Sequence, residues 1–282
     1  MPIQYEHHIA IRQNPLCPFF LRVVHDLCDT VCNWHRNPEL LLVTGGEGFV
    51  RYGTRVYPLR EHDVVIVNPD LLHRIYSDRG IRYYCVIIDE KFCADNGLSK
   101  EQLHFDEHFR DPQVEELLRL VVAYLQENER APSPLTIAKT RAAVLQLLIA
   151  LCERHRLEVS PDRSPAPRAE EYVKQALSYL ESHSTESLTL DEIAEAVGIS
   201  KYHLVREFKK YTDQTIFTYL NRLRCKNAAL LISEGKSVTQ AALECGFESL
   251  PYFSRTYRRL MGEPPRPPRA KAAKGIDNCP DM

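Results

Sequence analysis

The chain has 282 residues, 44% of them hydrophobic, and a formal net charge of −2, so it is not a globally basic protein. At roughly 100–200 residues per domain we expect about two domains, each with a core of its own. Nine cysteines without a CxxC pair disfavour a disulfide framework. The N-terminus lacks an apolar signal core and no run reaches the ~20 apolar residues that cross a bilayer, so we expect a cytoplasmic protein with no membrane partner.

Residues 1–110 contain short apolar segments separated by turn residues. Segments such as ELLLV, GFVRYG, DVVIVNP and RYYCVIID alternate with GGEG and NPD. Strands at this spacing are typical of a small antiparallel barrel or sandwich. We therefore predict a β-domain over residues 1–110, and the resemblance to a regulator family given below implies that it binds an effector.

Polar and aromatic side chains within these strands are the candidate effector-binding residues. Two histidines and a carboxylate brought together by a barrel can hold a divalent metal or form the polar wall of a ligand pocket. A further histidine is missing at Asn33, two positions before His35, which favours the pocket, so we predict no metal, no cofactor and no catalytic residues. The predicted effector-binding set is Trp34, His35, Glu39, Tyr52 and His73.

The hydrophobic period changes from two to about 3.6 after Asp111. Val114, Leu118 and Val121 share one helical stripe, and a second helix is predicted over residues 135–156 with apolar positions on more than one face. This pattern favours a dimerisation element over 111–157 and hence a homodimer. The alternative is a helix pair that only covers its own domain. A proline-rich segment at 158–168 is predicted to be an extended linker.

Residues 169–268 contain one unit twice. Gly198 aligns with Gly246, and the apolar positions around the two glycines coincide. Each copy reads as helix, tight turn and helix, because glycine allows a left-handed turn between two short amphipathic helices. Thr189 and Ser237 each stand three residues before a Glu or Gln, which predicts a capping box at each first helix.

The second helix of each copy carries the candidate DNA contacts. Arginine in the middle of a helix can reach guanine O6 and N7 in the major groove, and basic residues near helix ends suit phosphates. A connecting helix from about residue 216 to 234, about 28 Å long, is predicted to join the copies. Ser200 and Ser249 are predicted to cap these two second helices. The predicted DNA-binding set is Lys201, Tyr202, His203, Arg206, Lys210, Ser249, Leu250, Tyr252, Arg255 and Arg259.

Residues 169–266 resemble the DNA-binding domain of the AraC/XylS family of bacterial transcription regulators. The resemblance rests on LTLDEIAEAVGISKYHLVREFKKYT, YLNRLRCKNAALLI and above all VTQAALECGFESLPYFSRTYRRLMGEPPR. NWHRNPELLLVTGGEG and VVIVNPDLLHRIY are similar to the two half-motifs of the cupin fold. The resemblance implies a chain of the α+β class. Its N-terminal domain would be a cupin-like antiparallel β-barrel with a helical pair. Its C-terminal domain would be all-α, with two helix-turn-helix motifs joined by a connecting helix.

The chain departs from the family pattern at three positions. Val205 stands where many members carry a polar base-reading residue, Asp213 replaces a glycine after the first recognition helix, and Pro268 replaces a tyrosine that often closes the last helix. The tail 269–282 is rich in proline and small or charged residues and is predicted to be disordered.

These patterns together predict a sequence-specific DNA-binding transcription regulator that responds to a small-molecule effector, with a sugar as one candidate. Its predicted partners are double-stranded DNA, the effector, a second copy of the chain and RNA polymerase at a promoter. The alternative is a metal-dependent cupin enzyme with a DNA-binding appendage, which His35, Glu39 and His73 alone support.

Overall fold

A computed structural model of the chain describes residues 16–99, 102–157 and 168–266. The predicted tail 269–282 and the predicted linker, except Arg168, lie outside these ranges. The strands are β1 (Phe19–Asp29), β2 (Glu39–Tyr52), β3 (Arg55–Arg60), β4 (Val64–Val67), β5 (His73–Ile88) and β6 (His108–Phe109). The helices are α1 (Glu90–Asp95), α2 (Pro112–Arg130), α3 (Pro134–Arg154), α4 (Arg168–Ser182), α5 (Leu190–Val197), α6 (Lys201–Thr212), α7 (Ile216–Ser233), α8 (Val238–Glu244) and α9 (Leu250–Met261).

The six strands form one antiparallel sheet, and helices follow it, so the predicted α+β class is confirmed. β2 pairs with β3, β4 and β5, and β5 also pairs with β1. The pairing of β2 with β5 shifts register twice, between Val43 and Gly45 and between Gly46 and Phe49. Such irregularities bend a strand and increase its twist, which curves the two longest strands of the sheet.

Both faces of the first part of β2, residues 39–43, are buried, which explains the apolar run LLLV there. Leu40 and Leu42 pack into one core with α2 and α3, whereas Leu41 and Val43 pack into the core on the opposite face. Because successive side chains of a strand point to opposite faces, Glu39 lies on the same face as Leu41. Full burial of each such leucine contributes about 1.5–3 kcal/mol.

The helix α3 is the one helix among the described residues that is long and apolar enough by composition to cross a membrane. Its residues Val144, Leu147 and Leu151 are fully buried, in the core that α3 shares with α2 and the sheet. Packing in this core accounts for its composition. Leu135 and Ile149 remain 65% and 55% exposed.

The local features predicted for the repeated unit are present in both copies. Thr189 and Ser237 form complete capping boxes with Glu192 and Gln240. Gly198 and Gly246 are left-handed, with φ of 74° and 81°. The second helices, α6 and α9, start after serine N-caps, as predicted.

The two left-handed glycines differ in their surroundings. A Cβ placed on Gly246 would lie 2.6 Å from the main-chain oxygen of Thr185, whereas nothing lies within 4 Å of the same position at Gly198. Glycine is therefore required at position 246 for two reasons: its left-handed backbone angle and the close approach of another chain segment.

The chain divides into two compact units. One runs to His183 and includes Leu188–Tyr219, so it contains the sheet and α6. The other comprises Ser184–Ser187 and the residues from Leu220 on, including α9. The domain boundaries inferred from the sequence stay predictions.

Candidate functional sites

The helix α6 presents most of its predicted DNA contacts to solvent. Tyr202 is 81% exposed, and the side chain of Arg206 is 72% exposed. Lys201 forms an ion pair with Asp191 at 2.9 Å. Val205, the departure from the family pattern, is 39% exposed on the same helix. A protruding aromatic ring and a basic side chain suit contact with base edges and phosphates.

Glu207 is a site residue that the sequence analysis missed. Its carboxylate is buried and accepts a hydrogen bond from Arg206 Nε at 2.9 Å. His203 Nε2 and Lys210 Nζ lie 3.7 and 3.8 Å from its oxygens. The Glu207 carboxylate therefore lies next to the charged or polar groups of three predicted DNA-contacting residues. The positions of His203, four residues before Glu207, and Lys210, three residues after it, are the signal that could have revealed it.

The helix α9 presents the second group. Leu250 and Tyr252 are 37% and 44% exposed, and Ser249, Arg255 and Arg259 are exposed as well. The hydroxyl of Tyr252 accepts a hydrogen bond from Asn221 Nδ2 at 2.9 Å, which orients its ring. The individual roles of these residues in DNA binding stay predictions.

Three of the five predicted effector-binding residues come together on the inner face of the sheet. His35 Nε2 lies 2.9 Å from Glu39 Oε2, and His73 Nε2 lies 3.8 Å from the same oxygen. All three residues are buried. Cys85, on the neighbouring strand β5, donates its thiol hydrogen to Glu39 Oε1 at 3.1 Å.

Burial and charge determine the protonation states in this cluster. Burial opposes the ionisation of Glu39, but the hydrogen bond and charge of His35 outweigh it, and the pKa of Glu39 lies far below its ordinary value. Burial and the neighbouring His35 lower the pKa of His73 to about 4. Burial beside Glu39 raises the pKa of Cys85 well above its ordinary value, so the thiol keeps its proton.

The other two predicted effector residues make their polar contacts outside this cluster. Tyr52 pairs in register with His73 and is 2% exposed, and its hydroxyl donates to the main-chain oxygen of Ile66 at 2.8 Å. Trp34 lies under the ammonium group of Lys174, 5.9 Å from its ring centroid. This contact joins Trp34 to a residue of α4.

The sheet contacts the C-terminal end of α6 through an arginine. Arg74 of β5 makes two hydrogen bonds to Asp29, at 2.8 and 2.9 Å, and donates from Nη1 to the main-chain oxygen of Thr212 at 3.3 Å. Asp213 follows with φ of 59°, and its Oδ2 lies 3.9 Å from both Arg51 and Arg74. Cations at this end of a helix offset the partial negative charge of its last carbonyls.

Two family models match the chain. The one described as a helix-turn-helix domain matches residues 193–271. The one described as an AraC-like ligand binding domain matches residues 30–148. The second match contains the cluster of His35, Glu39 and His73, and the first contains α6 and α9.

Curated proteins similar to the chain are named as transcription regulators. The HTH-type transcriptional activator RhaS of Escherichia fergusonii is 32% identical over 165 residues, which cover 58% of this chain and 57% of that protein. The HTH-type transcriptional regulator ArgR of Pseudomonas aeruginosa is 32% identical, with 56% and 47% covered. The chain thus spans about half the length of these two relatives. The HTH-type regulator YbfI of Bacillus subtilis is 28% identical, with 71% and 75% covered.

A solved structure has the same fold. The apo form of a ToxT variant from Vibrio cholerae superposes with a TM-score of 0.50 at 14% identity, and covers 88% of this chain and 95% of that one. This similarity supports the order of sheet and helices described above.

Proposed function

The chain belongs to the AraC family of transcription regulators, and we propose that it binds specific double-stranded DNA sites with α6 and α9 and responds to a small molecule bound by its sheet domain. The observation that carries this proposal is the repeated pair of recognition helices. Each begins at a serine cap and leaves an arginine exposed, Arg206 in one copy and Arg255 in the other.

The contact between Arg74 and the end of α6 supports a route from effector to DNA. An effector shifts an equilibrium only if it binds two states with different affinity. β5 carries both His73, in the proposed effector site, and Arg74, which holds Thr212. A ligand that moves this part of β5 would therefore change how the last turn of α6 is held.

We extend the proposal to a homodimer and to contact with RNA polymerase at promoters, in the bacterial cytoplasm. Leu135 and Ile149, both exposed on α3, support the dimer, because a second copy packed against this helix would bury them. The name of RhaS as an activator supports the contact with polymerase. Sedimentation of the full chain at several concentrations would measure the dimer, and Ile149→Glu should shift it toward monomer.

The enzyme alternative has one support, the cluster of His35, Glu39 and His73. The relatives are named as regulators, and we assign no reaction to the chain.

The DNA-binding proposal is tested with the full chain. Genomic DNA bound by the protein is recovered and sequenced, and a labelled fragment containing the enriched site is then titrated by fluorescence anisotropy between about 50 and 200 mM salt, where phosphate contacts make affinity fall steeply. We expect Arg206→Ala with Arg255→Ala to abolish the preference for the enriched site. Arg119→Ala with Arg130→Ala removes the same two positive charges from exposed positions of α2 and should leave the preference intact. A protein that enriches no sequence would refute the proposal.

A further inference from the structure

His35, Glu39 and His73 place three metal-ligating atoms close together in the interior of the sheet domain. The imidazole nitrogens and the carboxylate oxygen all lie within 4.8 Å of one another, and every one of the three residues is buried. Each comes from a different part of the chain: His35 precedes β2, Glu39 begins β2, and His73 begins β5. An antiparallel bridge between Asn33 and His73 brings the segment before β2, which carries His35 and leads into Glu39, to the start of β5.

The hydrogen bonds of the two histidines fix the tautomer of each ring. In both rings the nitrogen that faces the carboxylate is the one that carries no proton in the neutral form. His35 Nδ1 lies 2.8 Å from the main-chain oxygen of Asn37, and His73 Nδ1 lies 3.1 Å from that of Leu71. A carbonyl oxygen only accepts, so both Nδ1 atoms carry hydrogen and the neutral rings have their lone pairs on Nε2. Metal-binding histidines are held by this same contact, in which the second ring nitrogen donates to a carbonyl.

The two Nε2 atoms face one oxygen of the Glu39 carboxylate, where the positive charge can be a proton on His35 or a metal ion. A proton on His35 would serve the 2.9 Å contact with Glu39 Oε2. It would leave His73 Nε2 3.8 Å from the same oxygen, which is too far for a hydrogen bond. A metal ion bound to all three atoms satisfies both histidines at once.

Cys85 orients the carboxylate for this role. Its thiol donates to Glu39 Oε1 at 3.1 Å, so Oε1 is held on one side and Oε2 is directed at the histidines. Hydrogen bonds to a ligating carboxylate of this kind fix its position and are part of many metal sites.

We propose that His35, Glu39 and His73 bind one divalent first-row transition metal ion, with Cys85 as the positioning residue of the carboxylate. Two imidazoles and one carboxylate suit Zn²⁺, Fe²⁺ or Ni²⁺, whereas Mg²⁺ and Ca²⁺ prefer oxygen ligands throughout. Three protein ligands leave at least one coordination position for water or another oxygen donor. The inference concerns what the sheet domain holds and does not depend on DNA binding.

The first test is a Zn²⁺ titration of the untagged full chain. The protein is treated with a chelator, returned to buffer containing excess Mg²⁺, and titrated by calorimetry, with the bound metal measured after equilibrium dialysis. We expect one Zn²⁺ per chain. Glu39→Gln and His73→Gln should each weaken binding by about 100-fold or more, and Cys85→Ala by about 10-fold.

Two matched variants control for binding elsewhere. His62 forms an exposed pair with Glu115 at 3.0 Å, so His62→Gln removes a histidine from a histidine–carboxylate pair outside the site and should leave the affinity unchanged. Replacement of His7 and His8, which precede the described residues, should also leave it unchanged.

The second test uses Co²⁺ and needs no variant to fold. The full chain should give saturable visible ligand-field bands at one equivalent, without the thiolate-to-cobalt charge-transfer absorption that a cysteine ligand would produce. The proposal is overturned if the wild-type chain binds no stoichiometric Zn²⁺ and gives no saturable cobalt spectrum. It is equally overturned if folded Glu39→Gln and His73→Gln proteins bind with unchanged affinity, or if a charge-transfer band marks a cysteine as ligand.

Discussion

Arg74 donates from Nη1 to the main-chain oxygen of Thr212, 3.3 Å away, so a buried arginine of the sheet holds the last residue of the first recognition helix. The same guanidinium binds Asp29 through two further hydrogen bonds. Its side chain is only 10% exposed. Its charge is therefore compensated by one carboxylate and by the carbonyl end of a helix.

The two carboxylates near Arg74 should differ greatly in their importance for stability. Asp29→Asn leaves a buried arginine without its paired negative charge and with one acceptor oxygen fewer, so we expect a loss of about 3–5 kcal/mol in the free energy of unfolding. Asp213→Asn removes a half-exposed carboxylate whose contacts are at 3.9 Å, and should cost less than about 1 kcal/mol. Urea unfolding followed by the fluorescence of the single tryptophan, Trp34, measures both. Equal losses would show that Arg74 does not depend on Asp29.

The two glycines at equivalent turns should also differ. Gly198→Ala places a side chain at positive φ in open space, and should lower the free energy of unfolding by about 1–2 kcal/mol. Gly246→Ala should cost about 1–3 kcal/mol more, because its Cβ would collide with the main chain at Thr185. Thermal unfolding of both variants gives the comparison. Gly198→Asn, which tolerates the left-handed region better, should be milder than Gly198→Ala. A smaller loss at Gly246 than at Gly198 would contradict the close approach.

Glu181 should make the stability of the protein depend on pH. Burial raises its pKa from 4.5 to about 7, against the hydrogen bond from Tyr219. The folded state thus holds this proton more tightly than the unfolded state. The stabilisation is complete below pH 4.5 and is lost as pH rises through about 7.

Glu181→Gln removes this titration. At alkaline pH the free energy of unfolding of the variant should exceed that of the wild type by about 1–2 kcal/mol. This gain is smaller than the shift in the pKa of Glu181 implies, because the side chain is partly exposed. It should gain almost nothing at acidic pH. Urea midpoints across this range test the prediction, and a gain that does not change with pH would contradict it.

Arg255 should read a base rather than a phosphate. Arg255→Ala should cost about 1–3 kcal/mol of binding and relax preference at one base pair. Arg255→Lys keeps the charge but loses the two-pronged donor geometry, so it should lose the same preference while retaining most of the affinity. Anisotropy titrations against a set of single base-pair changes separate the outcomes. Equal weakening on every sequence would make Arg255 a phosphate contact.

Features that depend on neighbouring residues were predictable from the sequence. The capping box of Thr189, the serine cap at Ser249 and the left-handed turn at Gly198 each involve residues within a few positions of one another. The burial of residues 40–43 on both faces of β2 likewise agrees with their uninterrupted apolar run.

Contacts between distant segments were not predictable in the same way. Arg74 and Thr212 are 138 positions apart, and no local pattern marks their pairing. Tyr52 was selected for its aromatic and polar character, yet its hydroxyl donates to a main-chain oxygen, because strand register decides which groups it can reach. Asp213 was visible only as a departure from a family glycine. The structure places its carboxylate beside two arginines of the sheet domain.

The division of the chain, which puts α6 in the unit of the sheet and α9 in the other, has a consequence for operator genetics. If effector occupancy is felt through Arg74, it acts on the half of the operator that α6 contacts. Point mutations in an operator should then fall into two classes. In one class the loss of protein–DNA affinity caused by the mutation changes when effector is added. In the other class this loss stays the same.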